Sequence, residues 1–410
     1  MQIMSKIRIK NFGPVKEGFQ DNGGWIDIKK VTVFIGGQGS GKSTLAKLIA
    51  TFMGLEKALN KGDFTEQLTG ADMLNLLDQQ RLKNYIQKDS EIEYIGDLYT
   101  ISYTPEKTWP VIKKKENGIY LVPKIMYVPA ERNLFSTLPN VYDLKTLPDF
   151  LRIFGTELKQ AQVMLAGTVL ELPLRGTTYE YREHEDASYI KTSGSSINLL
   201  EASSGFHSLI PLFLVSRNLA ELVANKAAPD YMSVNQIIKR DKDISQISLD
   251  TSISNDERAI KISNIYNKYF NQCFINIVEE PEQNLFPTSQ KEILESLSAF
   301  NNKSEGNKLI VTTHSPYIIN FLSIAIQGQI LLDKIKTHNR NDLLGRFEEI
   351  IPENSCMKAN ETVIYELDKE GNIIRLKEYG GIPSDDNYLN ASLSECNQLF
   401  DSLFEIEEDL

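Results

Sequence analysis

Residues 31–45 read VTVFIGGQGSGKSTL, and this stretch decides how the rest of the chain is read. Residues 31–35 form a short, nearly continuous apolar run, the pattern of a parallel strand buried on both faces. After Lys42, the residues Leu45, Leu48, Ile49 and Phe52 recur at helical spacing and predict a helix over 42–54. Between the two stands Gly36-x4-Gly41-Lys42-Ser43, in the strand–loop–helix setting that gives this pattern its meaning. Its glycines allow backbone conformations closed to other residues, so several N–H groups can converge on a polyphosphate. The following helix adds the positive end of its dipole. Gly36, Gly37, Gln38, Gly39, Ser40, Gly41, Lys42, Ser43 and Thr44 are the expected cradle. Lys42 is expected to reach the β- and γ-phosphates and the Ser43 hydroxyl to ligate Mg²⁺. The stretch predicts a nucleoside triphosphate site.

A second stretch, INIVEEPEQNLFP at 275–287, ends an apolar run in Glu279, Glu280 and Glu282. Like charges so close repel, and a cation held by Ser43 and a nucleotide supplies the compensating charge. An apolar strand ending in acids is the second half of a P-loop site. Glu279 falls at the metal-associated position, and Glu280 falls where the attacking water is polarised. Glu282 is read as a structural or dimer contact. Glu280 lies 238 residues after Lys42 (280 − 42), farther than a small-molecule kinase would place its acid.

The interval contains LLEASSGFHSLIPLFL at 199–214, where Ser203, Ser204 and Gly205 open an apolar-faced helix and offer a second anion-binding N-terminus. One nucleotide has no need of two such sites within a chain, whereas two chains could each lend this turn to the other's γ-phosphate. At 308–321, KLIVTTHSPYIINF reads as a buried strand whose end presents His314, a candidate γ-phosphate sensor.

In this order GGQGSGKST, EASSGFHS, FINIVEEPEQNLFP and TTHSP resemble the ATP-binding-cassette ATPases of the RecF/SMC and overcoming-lysogenisation-defect kind. The resemblance runs from IRIKNFGPV to about residue 325. It implies an α/β fold: a P-loop NTPase head of the ABC type, with an antiparallel β subdomain, helical insertions and no long coiled coil. It implies ATP and Mg²⁺ as the ligands. It implies a head that dimerises around two ATP molecules, with Ser203, Ser204 and Gly205 acting across the dimer. Lys42, Glu280 and His314 are the expected catalytic residues, and Ser43 and Glu279 the expected metal ligands. Two positions depart from the family pattern. Glu279 stands where Asp is more common, and YVPAERN at 127–133 replaces the usual glutamine loop, leaving the roles of Glu131 and Arg132 open.

Apolar residues make up 41% of the 410 and charged residues 24%, as in globular proteins. The net charge of −11 argues against a generally basic nucleic-acid binder. Cys273, Cys356 and Cys396 are widely spaced and read as buried thiols of a reducing, cytoplasmic compartment. No membrane association is expected, since no apolar run approaches a span's length. The expected organisation is an N-terminal lobe with the P-loop at 1–54, a helical insertion at 55–90, and a β-hairpin and helical subdomain at 91–202. A C-terminal lobe at 203–325 would include a mobile connection at 226–255, and 326–410 would add a hairpin and a helix.

No coiled-coil heptads and no appended nuclease domain are legible, and the Asp385–Asp386 pair reads as a turn. The reading is therefore a regulatory ATPase subunit acting on a separate effector, a nuclease or toxin. It resembles the ATPases of Septu-like and retron-associated anti-phage systems. The alternative is a DNA-maintenance ATPase, with Lys113, Lys114, Lys115, Lys239 and Arg240 as its thin basic candidates. A transporter ATPase and a slow nucleotide switch complete the field.

Overall fold

The computed structural model describes residues 5–107, 109–116, 118, 120–139, 141–144, 146–192, 194–226 and 234–408. The first lobe runs through β1 (Ser5–Phe12), β2 (Gly18–Phe19), β3 (Ile26–Ile28), β4 (Val31–Gly36), α1 (Lys42–Lys61) and α2 (Gly70–Gln79). Strands β5 (Ile86–Ile95), β6 (Tyr99–Tyr103), β7 (Val111–Lys114) and β8 (Pro123–Val128) follow. Next come α3 (Leu134–Thr137), α4 (Asp149–Met164), β9 (Val169–Glu171), β10 (Thr178–Arg182), β11 (Ala187–Thr192) and β12 (Ser195–Asn198). Helices α5 (Ser204–Ala224), α6 (Val234–Leu249) and α7 (Asn255–Asn267) lead into β13 (Cys273–Glu279). Then come α8 (Pro287–Asn301), β14 (Lys308–Thr313), α9 (Pro316–Thr337) and α10 (Leu344–Glu348). The chain closes with β15 (Thr362–Leu367), β16 (Asn372–Arg375), β17 (Glu378–Tyr379), β18 (Ile382–Pro383) and α11 (Tyr388–Glu408).

The central sheet has seven strands in the order β2-β16-β15-β4-β14-β13-β8. Within it β15, β4, β14, β13 and β8 are parallel neighbours. Val33, Phe34, Ile35, Ile277, Val278, Ile310 and Val311 are buried, which is why these segments read as unbroken apolar runs. The register pairs Thr313 with Ile35, Leu367 with Gly36 and Glu279 with Thr312. The carboxyl ends of β4, β13, β14 and β15 therefore open on one edge, where α/β sheets bind ligands. Two antiparallel sheets flank this core, β3-β1-β5-β6-β7 and β12-β11-β10-β9.

Several sequence expectations are revised. Helix α1 does not stop at 54 but continues to Lys61, where Gly62 (φ 78°) donates its N–H to Ala58 O and Leu59 O and ends it. The region 226–255, expected to be a mobile connection, holds α6, packed on α7; residues 227–233 lie outside the described ones. Ile238 of α6 is exposed, so little buried stripe was there to be read. Strand β8, expected in the separate 91–202 subdomain, belongs to the central sheet. The terminal hairpin also joins that sheet, laying β15 parallel to β4. Helix α9 is long and apolar enough to cross a membrane by length and composition. Its Ile318, Ile319, Leu322 and Ile326 are buried, and it packs on α8. Cys273 and Cys356 are buried free thiols, and burial pushes them up to about 12 and about 11. The Cys396 side chain lies outside the described ones.

Candidate ATPase active site

The loop joining β4 to α1 is shaped by positions that accept only glycine. Gly36 has φ 141°, and a Cβ there would lie 2.2 Å from Leu367 O of β15. Gly39 and Gly41, at φ 79° and 105°, are also in the left-handed region. Gln38, Gly39 and Ser43 are exposed at the mouth, while Ser40, Lys42 and Thr44 are buried. The Lys42 ammonium donates to Gly36 O (2.9 Å) and Gly37 O (2.7 Å), carbonyls of its own loop. Burial pulls Lys42 down to about 8, against the opposing charges of Glu280, Glu282 and Glu279.

His314 sits between Lys42 and Glu280. Its Nδ1 is 3.4 Å from Lys42 Nζ and its Nε2 is 3.3 Å from Glu280 Oε1. The Nε2–H tautomer satisfies both contacts, accepting from the ammonium and donating to the carboxylate. The hydrogen bond from His314 is the main force holding the Glu280 carboxyl below its usual range, with the His314, Lys42 and Arg132 charges adding to it against burial. Glu280 is thus kept ionised and able to accept a proton from water. Its backbone is in the left-handed region (φ 44°), uncommon for a residue with a side chain, and its N–H donates to Thr312 O (2.9 Å).

Glu282 has an internal structural role. Its Oε1 accepts from the Thr313 hydroxyl and the His314 N–H, both at 2.7 Å, so it ties the tip of β14 to the loop after β13. Burial raises its carboxyl above the usual value. Arg132, whose role the sequence left open, makes no carboxylate pair with its guanidinium. It is fully buried and donates to backbone carbonyls: Ser208 O, Pro129 O, Glu279 O and Glu280 O. The structural half of the sequence reading of Glu282 agrees with these bonds, while the role of Arg132 was left open by the sequence. The acid two residues past Glu280 and the Arg in YVPAERN were the available signals.

The fit of Mg²⁺ rests on Glu279. It is 3% exposed; its Oε2 accepts from Ala130 N–H at 3.4 Å and its Oε1 has no partner. A buried carboxylate oxygen without a donor is costly unless a cation or ordered water meets it. Among the described residues no group of three His, Cys, Asp or Glu side chains could hold a metal alone. That suits a hard cation carried in mainly by phosphate and water, with Ser43 and Glu279 as the protein's share. Bound there, Mg²⁺ would neutralise charge on the phosphates.

The 203–205 turn opens α5. Ser203 precedes α5 without a side-chain cap, and Ser203 and Ser204 are exposed, so the first N–H groups of a 21-residue helix remain open. Its neighbours are in the loop after β13: a Cβ on Gly205 would lie 3.0 Å from Asn284 O. The structure thus gathers Lys42, Glu279, Glu280 and His314 around the P-loop, with Ser43 at its mouth, and sets Gly205 against the loop that follows Glu280.

Fold and site define an ATP-hydrolysing P-loop enzyme. A family model described as an AAA ATPase domain matches residues 1–273 and 144–319, and the chain belongs to that family. Among solved structures it is similar to an SMC head bound to the C-winged helix domain of ScpA, with 11% identity, 78% of this chain and 91% of that one covered, and a TM-score of 0.39. An SMC head from Pyrococcus furiosus with an extended coiled coil gives 11%, 98% and 100%, and 0.39. The dimeric post-hydrolysis ATP-binding cassette MJ0796 with ADP and Pi gives 12%, 92% and 100%, and 0.30. No curated protein matches.

Proposed function

We propose that this ATPase dimerises around two Mg²⁺–ATP molecules and thereby regulates a separate effector, a nuclease or toxin, in bacterial anti-phage defence. The observation that carries the dimer is the uncapped N-terminus of α5. Exposed Ser203 and Ser204, together with Gly205, leave the first N–H groups of the helix and two hydroxyls open to a ligand. A γ-phosphate held by another copy is a ligand of the right charge for that turn. Within each site Lys42 would leave its loop carbonyls for the phosphates, His314 would sense the γ-phosphate, and Glu280 would take the proton of the attacking water.

An effector outside the chain is supported by chemistry. Among the described residues no group of three His, Cys, Asp or Glu side chains could hold a metal for nuclease work without a phosphate's help. Glu280→Gln should bind ATP, hydrolyse it at least about 100-fold more slowly, and accumulate as a dimer. Light scattering with and without ATP reads the mass, and a monomer under both conditions would sink the dimer. Pull-down with the product of the neighbouring gene, with and without ATP, tests the effector.

The second reading, a DNA-binding ATPase, is favoured by Lys113 and Lys114, both exposed on the edge strand β7. DNA-stimulated turnover, with binding that weakens steeply with salt, would select it.

A further inference from the structure

Arg132 sits on the 3₁₀ turn Ala130–Asn133 that leaves β8, and its side chain is 0% exposed. Its bonds divide between two elements. Nη1 donates to Glu279 O and Nη2 to Glu280 O, both at 2.7 Å, on the tip of β13. Nε donates to Ser208 O at 2.9 Å, in the first turns of α5. Burial pulls this guanidinium down to about 10, but it remains charged near neutrality, favoured by the charges of Glu282, Glu280, Glu279 and Glu131. With Pro129 O the guanidinium serves four carbonyls from a rigid planar fork of five donors, whereas an ammonium offers three from a single nitrogen.

What the fork holds is strained and functional. Glu280 has φ 44°, a conformation that persists only when its surroundings over-determine it. Arg132 grips its carbonyl while Thr312 grips its N–H. On the other side, Ser208 stands one turn after Ser204, and its hydroxyl accepts from Asn284 Nδ2 at 3.0 Å. Asn284 is itself left-handed (φ 59°), and its carbonyl lies against Gly205. Two straps, one through Arg132 and one through Asn284, thus join the base's strand tip to the helix start that carries Ser204.

We infer that Arg132 is a positioning residue with two outputs. It fixes Glu280 for hydrolysis of the nucleotide on its own P-loop. Through Ser208 it also sets the helix start offered to the nucleotide of the other copy, so each site responds to its twin. The second output rests on the dimer proposed above; the first does not.

The test is steady-state ATP turnover of the full chain, with nucleotide affinity measured separately by a fluorescent ATP analogue. Arg132→Lys keeps the charge and loses the fork. Expected are affinity within about 3-fold of wild type, kcat lower by at least about 10-fold, and a Hill coefficient falling to 1. Wild-type kcat and wild-type cooperativity in this variant would overturn the proposal. A lowered kcat in a wild type that neither dimerises nor shows cooperativity would retain the first output and remove the second together with the dimer. Should Arg132→Lys fail to fold, Asn284→Gly, which keeps the left-handed backbone, decides the coupling. It cuts only the other strap, and a Hill coefficient reduced at unchanged affinity supports the coupling, whereas an unchanged one removes it.

Discussion

Lys42 is stored in a form that nucleotide must change. Its ammonium rests on two carbonyls of its own loop, and burial has brought it from 10.5 to about 8. In the free protein this group opposes folding most below pH 8, where the buried charge is fully present. The penalty fades as pH rises from about 8 towards 10.5. A polyphosphate favours the charged form, so binding above pH 8 must take up a proton. Nucleotide affinity should therefore fall as pH rises through 8, by at most about tenfold per pH unit. Calorimetry at pH 8.5 in two buffers of different ionisation enthalpy would show uptake of about three-quarters of a proton, and Lys42→Met should abolish it. A pH-independent affinity between 8 and 10 would contradict the assignment. At this scale Lys42, Glu280 and His314 were legible, because their chemistry demands particular side chains at particular places. The partners of Arg132 and Glu282 were not, since they include backbone N–H and C=O groups, which every residue carries and no pattern betrays.

At the scale of elements, the P-loop strand owes its setting to a segment more than three hundred residues later in the chain. Strand β15 pairs with β4 from Thr362↔Val31 to Leu367↔Gly36. The hairpin of β15 and β16 was legible from alternation around the Glu370-Gly371 turn. Its place beside β4 was not, because parallel pairing leaves no local mark on the sequence. The same holds for β8, whose short apolar run says nothing about which sheet it enters. The consequence is that 326–410 is no dispensable appendage. A chain stopped before Thr362 would leave β4 with an open, apolar edge in the middle of the fold, an aggregation template. It should show no cooperative thermal transition by circular dichroism and should elute as aggregate. A monomeric, cooperatively folding truncation would mean that β15 merely decorates the sheet. Gly36 makes the same point in miniature. Its missing Cβ leaves the space that Leu367 O occupies, so loop and strand are fitted to each other.

For the whole molecule, the proposed dimer makes one chain an incomplete catalyst. In a two-fold dimer each site would take Lys42 and Glu280 from one copy and Ser204 from the other. This can be tested by dividing the defects. Lys42→Ala removes the nucleotide's anchor, and Ser204→Arg blocks the helix start with bulk and with a charge attracted to the wrong place. Each variant alone should be inactive, because every dimer it forms has two broken sites. In an equal mixture half the dimers combine the two variants, and each of these carries one site with both defects and one with neither. Turnover should then recover to about a quarter of wild type, since half the dimers have one working site of two. The recovery must depend on the square of protein concentration at high dilution, where dimers are scarce. Two folded variants that mix, bind one another in ATP and stay inactive would show that Ser204 does not serve the partner's nucleotide. The N-terminus of α5 would then need another ligand.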